Sequence, residues 1–284
     1  MKKFLFVLIL AMVTPALTRG DENFRLEKKD TISEVFKFTF PEKEKTVTVD
    51  NVFGSITVIG SQSAEARLEA KKFLRADSQD GLLKAEREVK LSMAEKDNQL
   101  DIYVDGPFRC RDGSADWSDR DYIVTYDFEL QVPEQTSLIL KTVNDGDILV
   151  KNVRGGFTIR NVNGHIELQD ITGPVNCKTV NGRIRAAFRE NPVSACTFTT
   201  VNGDLDLSFS PKLAADFQLK TCNGEIYTDY PATYLPGKPE AGRSAKGRYI
   251  YRSSRFQGVR IGAGGPEIRM ETLNGDIVIA NKNK

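Results

Sequence analysis

The chain has 284 residues, 40% of them hydrophobic, with 40 Lys and Arg against 39 Asp and Glu. That length allows one large or two modest domains able to bury a core without covalent staples. The balanced charge argues against a general nucleic-acid binder, which carries a large basic excess.

The first predicted element is a signal peptide over residues 1–20. Lys2 and Lys3 form a positive start, Phe4 to Val13 an apolar stretch, and Thr14 to Gly20 offers small residues for cleavage. The apolar stretch is shorter than the roughly 20 residues needed to span a bilayer. No Cys lies beside it, so no lipid anchor is expected. The mature chain is expected to be extracytoplasmic (periplasm, cell envelope or secreted), with no transmembrane segment.

Residues 21–132 read as a β-rich region with one short helix. Phe36 to Val58 is strand-rich. Asp77-Ser78 caps a helix running to Val89, with Leu82, Ala85 and Val89 on one face. Val89–Met93 and Leu100–Val104 read as paired strands around Lys96-Asp97-Asn98. Tyr122, Val124, Tyr126, Phe128, Leu130 and Val132 alternate as one long half-buried strand that Pro133 ends. This region is expected to cap the first coil of the C-terminal half and shield its edge.

Residues 133–284 are dominated by a repeat, whose copies begin at Thr142-Val143-Asn144-Asp145-Gly146. It recurs at Asn163-Gly164, Asn181-Gly182, Asn202-Gly203, Asn223-Gly224 and Asn274-Gly275. With each glycine as zero, positions −7, −5, −2, +2 and +4 are apolar except for Thr228, the first copy fitting once its extra Asp145 is allowed for, with Leu138, Leu140, Val143, Ile148 and Val150. A degenerate copy around Gly54 fits too, with Val47, Val49, Val52, Ile56 and Val58. Steps of two mark strands with one buried face. The three-residue step, the Asn-Gly pair and the breakers between copies supply three corners. A unit of 18 to 21 residues cannot bury its own apolar face, and stacking on the next unit does so. The predicted fold is therefore all-β, a parallel β-solenoid of about six to seven coils. An antiparallel meander of Asn-Gly hairpins is the rival, but it would not demand the same residue type at each offset.

The register bears on the cysteines. Cys177 falls at −5, Cys196 at −7 and Cys222 at −2, so none stacks directly on another. Diagonal neighbours lie roughly 7–8 Å apart, beyond the disulfide range of about 4.4–6.8 Å. Buried free thiols acting as small hydrophobes are expected. Cys110 lies in a loop.

The Tyr126–Pro133 run, the Thr-Val-Asn-Gly copies and the closing Gly258-to-Ile277 segment together resemble the bacterial "putative adhesin" family of β-strand-repeat proteins. The resemblance covers roughly residues 45–280. It implies a solenoid-like fold and an extracytoplasmic location for a domain of unknown function, and it carries over no catalytic residues.

Several groups are candidates for chemistry. The position after each motif glycine holds Asp147, His165, Arg183, Asp204, Glu225 and Asp276. Asp204 beside Glu225 would be a carboxylate pair suited to acid/base work or Ca²⁺. A solvated corner of mixed charge is the simpler reading. The Thr179, Thr200, Thr221, Thr272 ladder and its asparagines could form a glycan-recognition face, but a structural turn ladder is preferred. The loop 105–121 holds Asp112, Asp116, Asp119, Asp121 and Trp117 without EF-hand spacing. The insertion 229–262 is the best binding candidate. It carries Lys238, Arg243, Lys246, Arg248, Arg252 and Arg255 among Tyr249 and Tyr251, a mixture that suits an anionic polysaccharide. No G-x-S-x-G, HExxH or Walker motif occurs, and no cofactor or metal is expected. The sequence thus points to a non-enzymatic exported envelope protein, adhesin-like or scaffold. An acidic-polysaccharide-binding module is the alternative, and a β-helix polysaccharide lyase a more distant one.

Overall fold

The computed structural model describes residues 12–13, 24–40, 42–109, 121–236, 240–243, 249–252 and 256–283. The signal-peptide reading falls almost entirely outside them. The chain divides into two compact units, Met1–Val153 and Arg154–Lys284.

The first unit contains β1 (Met12–Val13), β2 (Leu26–Lys37), β3 (Thr46–Asp50), β4 (Ile56–Ser61), β5 (Glu65–Ala76), α1 (Gln79–Glu88), β6 (Lys90–Lys96), β7 (Gln99–Asp105), β8 (Tyr122–Pro133), β9 (Ser137–Lys141) and β10 (Ile148–Lys151). One run of strands is β1-β2-β5-β8-β4-β10 and the other β9-β3-β7-β6. β4 pairs in parallel with β8 and β10, and β3 in parallel with β7 and β9. The degenerate copy around Gly54 is thus a true rung, held between β7/β8 on one side and β9/β10 on the other. Ser78 caps α1 by accepting the Gly81 N–H at Oγ, and Leu82, Ala85 and Val89 are buried as their spacing predicts. Asp97 and Asn98 both adopt positive φ, making the tight β6–β7 turn.

The second unit contains β11 (Phe157–Arg160), β12 (Ile166–Ile171), β13 (Val175–Lys178), β14 (Ile184–Phe188), β15 (Cys196–Thr199), β16 (Leu205–Phe209), β17 (Ala215–Lys220), β18 (Ile226–Thr228), β19 (Ala232–Leu235), β20 (Glu240–Arg243), β21 (Tyr249–Arg252), β22 (Gln257–Ile261), β23 (Glu267–Glu271) and β24 (Ile277–Asn281). Motif copies pair in parallel with equivalent residues opposed, as in Ile166↔Ile184↔Leu205↔Ile277. This is the stacked solenoid, and the hairpin alternative is excluded. Residues at −7, −5, +2 and +4 form the core between the two sheets, except in the fifth copy, where Ile226 is half-buried and Thr228 exposed. Phe188 and Phe209 of one sheet meet Phe198 and Phe217 of the other edge-on, at centroid distances of 6.4 and 5.9 Å.

Three features differ from the sequence-based expectation. Each coil has two strands and two corners rather than three, because the three-residue step and the Asn-Gly pair belong to one broad corner. Within it the alternation continues inward to Thr at −3, which is buried in Thr142, Thr179, Thr200 and Thr272, while Val162, Val180 and Val201 at −2 are only half-buried. Cys222, at −2, is exposed. The physical reason is that a buried corner carbonyl needs a donor, which a threonine supplies and a valine does not.

The third difference is the order of the rungs. The last copy does not stack on the fifth. It lies between the fourth and fifth, in the order β16-β24-β18 on one sheet and β15-β23-β17 on the other. β22 pairs antiparallel with the far side of β17, so the chain must cross the start of β17 to reach β23. The glycine-rich segment after Ile261 makes that crossing. A Cβ on Gly262 or Gly265 would stand 2.7 Å from the carbonyl oxygen of Leu213 or Ala214.

Candidate functional site

The Asn-Gly corners of the second unit form a continuous column. Each threonine hydroxyl donates to the motif-glycine carbonyl of the neighbouring rung: Thr179 to Gly164 (3.0 Å), Thr200 to Gly182 (2.9 Å), Thr272 to Gly203 (3.0 Å) and Thr221 to Gly275 (2.9 Å). The glycine N–H groups of 164, 182, 203 and 275 donate in turn to the carbonyls of Asn181, Asn202, Asn274 and Asn223, at 2.8–3.0 Å. The side-chain amides run alongside. Asn181 Nδ2 donates to Asn163 Oδ1, Asn202 to Asn181, Asn274 to Asn202 and Asn223 to Asn274, at 2.6–2.8 Å. Close approach is a condition of this column. A Cβ on the buried Gly182 would lie 2.1 Å from the Gly164 carbonyl oxygen.

The position after each glycine has a repeated task. His165 Nδ1 accepts the Arg183 N–H (3.0 Å), Asp204 Oδ1 the Asp276 N–H (2.9 Å) and Asp276 Oδ1 the Glu225 N–H (2.8 Å). Nδ1 of His165 therefore acts there as an unprotonated acceptor. Asp204 and Glu225 do not adjoin, because Asp276 stands between them. The expected carboxylate pair is corrected on that ground. Among the described residues no group of three His, Cys, Asp or Glu could hold a metal ion.

The other candidates are dispersed. Lys238, Lys246, Arg248 and Arg255 of the insertion lie outside the described residues. Arg243, Tyr249, Tyr251 and Arg252 fall on the antiparallel β20–β21 ladder, whose register sets Arg243 opposite Tyr249. Asp112, Asp116, Trp117 and Asp119 also lie outside the described residues, and Asp121 pairs with Lys84 at 3.3 Å. Cys177 and Cys196 are buried free thiols, and burial is the main cause that pushes both above the ordinary thiol range. Cys110 lies outside the described residues.

One feature escapes a reading of the sequence. On the outer face of the first unit, the cross-strand row Val35–Arg67–Gln131–Ile59 and the adjoining Ser33–Glu69–Glu129–Thr57 line a groove of about 370 Å³. Among the described residues the Arg67 guanidinium has no ion-pair partner, whereas Glu129 is engaged by Lys71 at 2.6 Å. The signal available is the alternation Ala66, Leu68, Ala70, Leu74, Ala76. Small alanines, weak strand formers, and the inward Lys72 obscure it.

Fold and column together define a stacked-rung β protein whose repeat motif builds corners. Residues 127–232 match the family model described as Toastrack DUF4097, a domain of unknown function. This agrees with the resemblance carried by the Thr-Val-Asn-Gly copies. No curated protein matches the sequence. Among solved structures, the chain is similar to a "putative cell adhesion protein" from Clostridium sporogenes (13% identity, 89% of this chain, 100% of that one, TM-score 0.41). It is also similar to a "putative lipid binding protein" from Parabacteroides distasonis (10% identity, 88% and 96%, TM-score 0.35) and to a "putative adhesin" from the same organism (12% identity, 88% and 96%, TM-score 0.25). Among the described residues no helix is long and apolar enough to cross a membrane.

Proposed function

We propose that this is a non-enzymatic exported protein of the bacterial envelope, an adhesin-like or scaffold module. The observation that carries the reading is the column itself. Thr, Asn, Gly and the residue after Gly are each engaged in rung-to-rung hydrogen bonds, so the repeat chemistry serves rigidity and presentation rather than turnover. The lysine start and short apolar stretch of residues 1–20 support export.

A second reading, binding of an acidic polysaccharide, rests on the insertion. There basic and aromatic residues alternate along a chain segment that includes the β20–β21 ladder. The test is binding of the purified mature chain to immobilised acidic and neutral polysaccharides over a salt series. The replacement of Lys238, Arg243, Lys246, Arg248, Arg252 and Arg255 by Ser is measured beside it. Salt-sensitive retention lost in the variant supports the second reading, and no retention by either protein leaves the scaffold reading. Release of unsaturated or reducing sugar ends would overturn both.

A further inference from the structure

Asn-Gly is the dipeptide most prone to spontaneous deamidation, because glycine leaves its amide nitrogen unhindered. Five such pairs stand in one column here, and four are held. The N–H groups of Gly164, Gly182, Gly203 and Gly275 each donate to a carbonyl of the next rung. The side-chain oxygens of Asn163, Asn181, Asn202 and Asn274 each accept an amide from a neighbouring asparagine. A nitrogen fixed in a hydrogen bond cannot readily lose its proton and turn onto the side chain.

Asn223-Gly224 ends the column. The displaced order of rungs puts the fifth copy outermost, so no further motif stacks beyond it. Among the described residues Gly224 N–H has no acceptor and Asn223 Oδ1 no donor. Gly224 is exposed, whereas Gly182 is buried and Gly164, Gly203 and Gly275 are half-buried. Its strand β18 is short, paired on one side, and has Tyr227 and Thr228 exposed.

We propose that Asn223 is the site at which this protein deamidates. The Gly224 amide nitrogen, after losing its proton, attacks Asn223 Cγ. The new C–N bond closes a succinimide, and the side-chain nitrogen leaves as ammonia. Water then opens the ring at either carbonyl, giving aspartate or isoaspartate at 223. Either product lacks the amide that donates to Asn274 Oδ1. Each places a carboxylate two residues from Glu225 and one rung from Asp276, and isoaspartate also lengthens the backbone beside β18.

The experiment incubates the folded full chain at neutral to mildly alkaline pH and follows all five Asn-Gly peptides by mass spectrometry, scoring isoaspartate separately. Freeing a bonded glycine must first break at least one rung hydrogen bond, so Asn223 is expected to convert about tenfold or more faster than the other four. Both aspartate and isoaspartate should appear, since only the ring route yields the second. The same incubation in denaturant should bring the five rates together, which assigns the difference to the fold. Equal rates in the folded chain, or another pair leading, would overturn the proposal, as would aspartate without isoaspartate at 223.

Discussion

At the scale of single residues, the motif threonine does more than its size implies. Thr200 is buried and its hydroxyl satisfies the Gly182 carbonyl at 2.9 Å. Valine has nearly the same shape and no donor, so Thr200→Val should lower stability by about 1–2 kcal/mol in urea denaturation. Thr221→Val, at the half-buried end rung, should cost distinctly less. Equal losses would mean that the hydroxyl contributes through something other than the buried corner. Hydrophobicity alone places the valine at −2 inside. That Thr at −3 takes the interior position is a hydrogen-bonding outcome, invisible until the carbonyl it meets is known. Likewise Asp204 and Glu225 look adjacent in the sequence because they belong to consecutive copies.

At the scale of elements, strands with strong alternation are legible in the sequence, among them β8 and the motif strands, as is α1 with its Ser78 cap. β5 is not. Its inward Lys72 breaks the apolar series, and burial is the main cause that lowers that ammonium's pKa. On the outer face of β17 and β23, Glu271 accepts from Lys220 and from Arg269 (3.1 Å for the latter). Partial burial pushes the Glu271 carboxyl up, but the two cations outweigh it and hold it below its usual 4.5. A carboxyl depressed in the folded state contributes stability above its unfolded pKa, and that contribution is lost as pH falls through the folded value. The wild type should therefore lose stability more steeply than Lys220→Met below about pH 5, by about 0.5 kcal/mol for a partly exposed pair. Parallel acid curves for the two proteins would count against the ion pair.

At the scale of the whole molecule, the order of rungs governs assembly. The final copy fills a slot between two rungs that precede it in the chain, so β15, β16, β17 and β18 complete their pairing only when the C-terminus arrives. Contacts so distant in sequence form late, since loop closure comes before any gain. A chain ending before Glu267 should lose hydrogen-exchange protection over residues 226–228 and over the amides of 215–220 that bond to β23, while keeping it over 166–188. Full protection at 215–228 in that variant would show the fifth copy closing directly onto the fourth.

Alternation, the Asn-Gly corners and the register of one copy against another are local properties. The amino-acid sequence by itself therefore determined that this protein stacks parallel rungs and which strand residues face its core, though not that threonine rather than valine turns inward at the corner. What the tertiary structure alone decided is which rung neighbours which, and hence where the column ends. Every copy presents nearly the same apolar and amide ladder, so one stacking order satisfies these local rules as well as another. The choice falls to the connections, above all the glycine-rich crossing at residues 262–265, where Gly262 and Gly265 pass too close to the start of β17 for a side chain.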